Sequence, residues 1–330
     1  MQIREHTSWM LLVACGAWML SAGPLAHAQS AAAYPSRPVQ LVVAYPPGGP
    51  VDVVGRFLAE RLTQLLGQNV YINNRAGAGG IIGTEFVARS APDGYTLLLT
   101  STPMAIQETL YRKLPYAALR DFSAIAEVAR GPQMLVVGLS IPAKNVKELI
   151  ALAKSQPGKL SYASPSTGGA NHLAAEMLKT MAGIDAVHVP YKGGAPAELD
   201  LIAGRVAFMF HSLPAAMQQV KAGRLRALAV TSVRRTSAAP DVPTVAESGL
   251  PGFEVSSWYG VVGPAGLPLE VVARINAGIN KALLGPEMKE RMTSLGIEGT
   301  PGTPADFTEF LKRDIARWAK VIKDSGATAD

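Results

Sequence analysis

Residues 39–57 read VQLVVAYPPGGPVDVVGRF. The β-branched and apolar run from Val39 to Tyr45 predicts a buried strand, which two prolines and two glycines end. Beyond them Val54, Phe57, Leu58, Leu62, Leu65 and Leu66 recur at the i, i+3, i+4 spacing of an amphipathic helix, closed by Gly67. A strand that turns through glycine straight into a helix opens a βαβ unit. The chain continues in that style. NVYINN predicts a second strand, RAGAGGIIGTEFVAR a glycine-rich loop entering a helix, and PDGYTLLLTS a third strand behind a Pro-Asp-Gly turn. This alternation belongs to a parallel sheet covered by helices.

The same programme restarts near residue 134. QMLVVGL, KLSYAS, AVHVPYK, VAFMFHS and LRALAVTS read as strands, with helices predicted over NVKELIALAKS, NHLAAEMLKTMAG, 196–203 and 214–222. PDVPTVAESGLPGF reads as irregular chain, SSWYGVVGP as a strand, and 268–284 and 304–325 as closing helices. Two βα series predict an α/β protein of two lobes. One lobe takes residues 29–131 and 258–330, the other 132–257, and the chain crosses between them near 126–134 and 254–262. A pair of crossings makes a hinge, with a ligand cleft between the lobes.

The second series repeats the first turn. In SPSTGGANHLAAEM, residues 164–177, Gly168, Gly169 and His172 keep the spacing of Gly48, Gly49 and Asp52. Each pair of glycines lies at the carboxyl end of a strand, the ligand edge of an open α/β sheet, and precedes a helix start, whose unpaired amides and partial positive charge attract anions. Neither loop carries the lysine and hydroxyl residue of a P-loop, and Gly48–Gly49 lacks the G-x-G-x-x-G spacing of a dinucleotide site. Gly77, Gly79, Gly80 and Gly83 follow the second strand with no ribose-binding acid downstream, so they read as a tight turn with close packing. A small carboxylate fits two such loops better than a nucleotide. For Asp52 the first-turn position suggests bracing the helix start, with contact to a ligand as the alternative. For His172 the alternatives are a hydrogen bond to a loop carbonyl and a ligand contact.

Composition narrows the function classes. The 330 residues are 48% hydrophobic and 17% charged, which suits a globular chain of one large or two smaller domains. The net charge of +6 comes from 31 basic residues scattered among 25 acids, and aromatics are 6%, so nucleic-acid binding is not expected. Residues 1–28 have the layout of a cleavable secretory signal: Arg4, the apolar run LLVACGAWMLSAGPLA, and Ala26-His27-Ala28 before Gln29. Leu12, Val13 and Ala14 before Cys15 also suit a lipoprotein signal, but the apolar run continues past Cys15, which favours simple cleavage. Cys15 is the only cysteine, so a mature chain would have no disulfide, thiolate metal site or cysteine nucleophile. His172, His188 and His211 lack helical metal spacing, and no G-x-S-x-G elbow or base–nucleophile pair is evident. No catalytic residue, metal or cofactor is expected.

Taken in order, YPSRPVQLVVAYPPGGPVDVVGR, NRAGAGGIIGTEFVARSAPDGYTLLLT, LYRKLPYAALRDFS, KELIALAKSQPGKLSYAS, HLAAEM, VHVPYKGGAPAELDL, RLRALAVTSVRR and DVPTVAESGLPGFEVSSWYG resemble the Bug proteins, the substrate-binding components associated with tripartite tricarboxylate transporters. The resemblance implies a type II periplasmic binding-protein fold, a monomer in the periplasm that captures a small organic carboxylate for the membrane subunits of such a transporter. It implies ligand contacts at Tyr45, Pro47, Gly48, Gly49 and Asp52, and opposite them at Thr167, Gly168, Gly169 and His172. Ser101 and His211 would shape the far end of the pocket. Two positions depart from the family pattern: Gly169 stands where Ser or Thr is frequent, shifting a hydroxyl contact to Ser166 or Thr167, and His211 stands where an acid is frequent. The second change disfavours a ligand amine, so a dicarboxylate or aromatic acid is expected before an amino acid. A sensor presenting its ligand to a membrane kinase and a secreted enzyme acting on a small acid are the competing readings.

Overall fold

The computed structural model describes residues 34–328; the expected export signal, with Cys15, lies outside them. The first series folds as β1 (Val39–Val43), α1 (Pro50–Leu66), β2 (Val70–Asn74), α2 (Ile81–Ala88), β3 (Thr96–Ser101) and α3 (Pro103–Leu110). A 17-residue strand follows, β4 (Phe122–Gly138). The second series is α4 (Val146–Ser155), β5 (Ser161–Ser164), α5 (Ala170–Ala182), β6 (Val187–Pro190), α6 (Gly194–Ile202), β7 (Phe208–Ser212), α7 (Leu213–Lys221) and β8 (Leu225–Val230). The chain ends with β9 (Ser256–Pro264), α8 (Leu269–Leu284), α9 (Pro286–Ser294), the short β10 (Glu298–Gly299) and α10 (Pro304–Ser325).

One mixed sheet runs in the order β2-β1-β3-β9-β4-β7-β5-β6, with β8 and β10 each paired to β4. β1 is parallel to β2 and β3, and β5 is parallel to β6 and β7, as crossover helices require. β9 is antiparallel to both β3 and β4. Residues 126–134 and 254–262, the expected crossings, fall largely within two long strands, β4 and β9, that pair with each other. β4 pairs with β9 from Phe122–Pro264 to Pro132–Ser256, then with β7 and β8 from Gln133 and Met134 onward. Its pairing with β9 slips at Ala124/Ala126 and at Glu127/Ala129.

The helices sit as their apolar stripes dictate. Leu58 and Leu62 of α1 are fully buried, each contributing about 2 kcal/mol of transfer free energy, and Gly67 closes the helix in the left-handed region. One apolar cluster reaches from Val42 and Leu98 through Leu135 and Phe208 to Trp258 and Trp318. A second packs Met134, Val136 and Met209 of the sheet against Leu201 of α6 and Ala216 of α7.

Candidate functional site

The two glycine turns have nearly the same backbone. Gly48 and Gly168 take φ of +81° and +72°, a region that favours glycine. Gly49 (φ −74°, ψ 165°) and Gly169 (φ −78°, ψ 162°) then cap α1 and α5 in extended conformation without a side-chain hydrogen bond. Val53 N donates to Gly49 O, and Leu173 N to Gly169 O, each at 3.0 Å. Helix geometry therefore leaves the amides of Val51 and Asp52, and of Ala170, Asn171 and His172, without intrahelical acceptors. The likeness extends to the brace. Gly48 N donates to Asp52 Oδ2 at 2.9 Å, and Gly168 N donates to His172 Nδ1 at 3.1 Å. A carboxylate and an imidazole four residues into their helices do the same work on the amide of the left-handed glycine.

Asp52 is buried and saturated. It also accepts from Arg56 Nε at 2.9 Å, Arg56 Nη2 at 3.1 Å and Asn74 Nδ2 at 2.8 Å. Burial pushes its carboxyl up, but the hydrogen bonds from Arg56, Gly48 and Asn74 outweigh it and hold the group below the usual aspartate range. Asn74 also donates to Tyr45 O at 3.2 Å, tying β2 to the turn. Pro47 and Gly48 are exposed. Ser101, at the end of β3, donates to the Tyr45 hydroxyl at 3.4 Å and lies opposite Tyr259 of β9. Burial pushes the Tyr45 phenol up to about 12, and burial together with Tyr45 does the same to Tyr259, so both stay neutral hydrogen-bonding groups at pH 7.

His172 accepts the Gly168 amide rather than bonding a loop carbonyl, because its ring is neutral. Burial, with His188 adding to it, lowers its pKa to about 4. Its ring stacks on that of His188 at 3.9 Å between centroids, and His188 stacks in turn on Tyr162 at 4.9 Å. Behind them Glu176 accepts from the Tyr162 hydroxyl and from Lys179 Nζ at 2.8 Å. Sequence reading missed the Ser164–His188 pair, 2.6 Å apart. It is not a nucleophile and its base: Ser164 is fully buried and gives its proton to Ser166 O at 2.9 Å. Thr167 is exposed and Gly168 is buried, its α-carbon side pressed by Leu110 of α3. At Gly169 a Cβ would lie 2.8 Å from Ser166 Oγ, so the Ser166 hydroxyl occupies the space of a side chain at 169.

His211 turns away from the two loops. It is 6% exposed and its Nε2 lies 2.9 Å from Glu198 Oε2 of α6, while Gln219 Nε2 of α7 donates to Glu198 Oε1 at 2.6 Å. His211 is thus held in a buried polar pair with Glu198, which the sequence did not single out, and neither residue lines the cavity between the loops. The carboxyl end of β7 reaches the cleft through the next residue, Ser212.

A cavity of about 470 Å³ joins the loops, lined by Gly48 on one side, Asn171 and Ser212 on the other, and Gln133, Ser257 and Tyr259 along β4 and β9. Of the expected contacts only Gly48 lines it; Tyr45, Pro47, Gly49, Asp52, Ser101, Thr167, Gly168, Gly169, His172 and His211 are not among its lining residues. Among the described residues no cluster of three or more His, Cys, Asp or Glu side chains could hold a metal ion, and no helix is long and apolar enough to cross a membrane.

Residues 54–327 match the family described as tripartite tricarboxylate transporter family receptor. The chain is 39% identical to protein BugT of Bordetella pertussis, over 96% of this chain and 98% of that one. Among solved structures it is similar to R. palustris Rpa4515 with adipate, at 37% identity and a TM-score of 0.79, covering 89% of this chain and 98% of that one. It is also similar to MatC of Rhodopseudomonas palustris with bound malate, at 31% identity and a TM-score of 0.76, covering 88% of this chain and 100% of that one.

Proposed function

The chain belongs to the tripartite tricarboxylate transporter receptor family, and from that premise we propose that it is an exported, monomeric solute-binding receptor that closes two lobes on a small organic carboxylate and delivers it to the membrane subunits of such a transporter. The observation that carries this reading is the pair of matched helix starts, with Gly48 and Asn171 lining one cavity from opposite sides. Two sets of unpaired amides and two positive helix ends suit one carboxylate between them. Relatives whose solved structures hold adipate and malate favour the same ligand class.

In this reading one lobe is 29–131 with 258–330 and the other 132–257, since β4 exchanges its β9 partner for β7 and β8 at Pro132–Met134. Amides of the Gly48–Asp52 and Gly168–His172 turns hold the carboxylate, Asp52 and His172 fix those turns, and the Ser166 hydroxyl replaces the one missing at Gly169. Tyr45, Pro47, Ser101 and Thr167 border the site on closure, and His211, paired with Glu198, supports β7 behind it.

The test is calorimetric and thermal titration of the purified protein with adipate, malate, citrate, benzoate, aspartate and glutamate. A bound acid at a hundredfold excess over its Kd stabilises the protein by about 2.7 kcal/mol and is recovered unchanged. If none of these acids shifts the melting temperature, the carboxylate reading fails. Tight binding of aspartate or glutamate alone would instead overturn the expected preference for acids without an amine.

A further inference from the structure

Gln133 sits where β4 leaves β9 and takes up β7, and its backbone is fully committed. Its amide donates to Thr231 Oγ1 at 2.8 Å, and its carbonyl accepts from Thr231 N at 2.9 Å. The side chain is 1% exposed and lines the cavity between the glycine turns. Its Nε2 reaches only Ser257 Oγ, at a long 3.4 Å, and its Oε1 has no hydrogen-bond partner among the described residues. A buried amide oxygen without a donor is costly, and an apolar side chain of similar length would avoid that cost. The other walls explain what is missing. The residues lining the cavity are uncharged, and its polar side chains besides Gln133 are those of Asn171, Ser212, Gln218, Ser257 and Tyr259. With no carboxylate there to balance an ammonium, the donor that suits Oε1 is a neutral one.

We propose that Gln133 is a specificity-determining residue that accepts a hydrogen bond from a hydroxyl on the bound acid, so that the receptor prefers hydroxycarboxylates to the corresponding unsubstituted acids. The assignment rests on the carboxylate reading above and adds to it the identity of the second recognised group. The helix starts take the carboxylate, and Gln133, braced by Ser257 at the hinge, takes the hydroxyl. A ligand lacking the hydroxyl would leave the amide oxygen unpaired in the closed cleft, which is how a site built around a hydrogen bond rejects an analogue.

The test uses matched pairs titrated into the purified full protein and its Gln133→Met variant: succinate with malate, glutarate with 2-hydroxyglutarate, and adipate with 3-hydroxyadipate. In the wild type the hydroxylated member of the best-bound pair should bind about tenfold tighter. Gln133→Met should bring that pair within about threefold by weakening the hydroxylated acid alone, with melting temperature unchanged or raised because an unpaired buried oxygen has been removed. A preference that persists in the variant overturns the assignment, as does a wild type with no preference. Equal weakening of both members with a lower melting temperature would make Gln133 structural and overturns it too. Failure of every acid to bind would defeat the carboxylate reading itself, an outcome separable from binding without a hydroxyl preference.

Discussion

At the residue scale the two turns are held by chemically different braces, and only the imidazole makes stability depend on pH between about 4 and neutrality. His172 accepts the Gly168 amide through Nδ1, which requires the neutral ring. Its folded-state pKa is about 4 against an ordinary 6.5, so between those values the unfolded chain binds a proton that the folded chain refuses. Stability is therefore full above about pH 6.5 and falls as pH drops toward 4, by roughly 3 kcal/mol for this group. The stacked His188, also lowered by burial, acts in the same direction, as does Lys179, whereas Glu176 opposes it; Tyr162 stays neutral throughout. His172→Gln keeps an acceptor for the Gly168 amide but removes the titration. Melting curves at pH 7.5 and 5.0 should show a smaller pH loss in the variant, and an unchanged loss would show that His172 is not its source. Asp52 behaves differently, because its carboxyl is held below the usual range, so the first turn should remain braced at pH 5.

Among the elements, α10 fastens β9. Asp314 accepts from the indole of Trp258 on β9 at 2.7 Å and from that of Trp318 at 3.1 Å, and it pairs with Arg317, which itself donates to Glu254 O at 3.1 Å. Asp314→Ala would leave two buried indole N–H groups and a guanidinium without their acceptor, at a cost of about 2–4 kcal/mol. Asp314→Asn keeps one acceptor and should cost less; denaturant melts measure both, and a loss under about 1 kcal/mol for the alanine variant would contradict the role. Much of this architecture was legible in the sequence. α1 and α5 announce themselves by apolar period and glycine ends, and their turns by matched spacing. What escaped has physical reasons. α3 follows β3 after Thr102 alone, and although Pro103 marks its start, its eight residues are too short a run to stand apart from the strand. α9 buries only Met288 and Met292, too thin a stripe to detect. β4 runs through Gly131 and Pro132, residues that normally signal a break, and carries Glu127 and Arg130, which satisfy each other beneath Phe310. The site's remoter members, Gln133, Ser212 and Tyr259, are brought together by sheet order, which a local pattern does not encode.

For the whole molecule, the question is what holds the two halves of the sheet together over the cleft. β4 and β9 connect them covalently, and the Gly168 turn adds a contact across the opening. A Cβ at Gly168 would lie 2.2 Å from Leu110 Cδ2, so the end of α3 rests directly on that turn. Gly168→Ala should therefore act in two ways. It strains a left-handed residue by about 1–2 kcal/mol and pushes Leu110 off the turn. Leu110→Ala removes the contact without strain, and should weaken acid binding while enlarging the radius of gyration measured by X-ray scattering at saturating ligand. In the double variant the steric part disappears and the strain remains, so binding should recover partway from Gly168→Ala toward Leu110→Ala. Additive losses in that cycle would mean the two residues do not meet in the bound state. If the cycle is coupled and the scattering radius changes with it, this contact helps set how far the cleft closes, and the glycine is retained there as much for Leu110 as for the ligand.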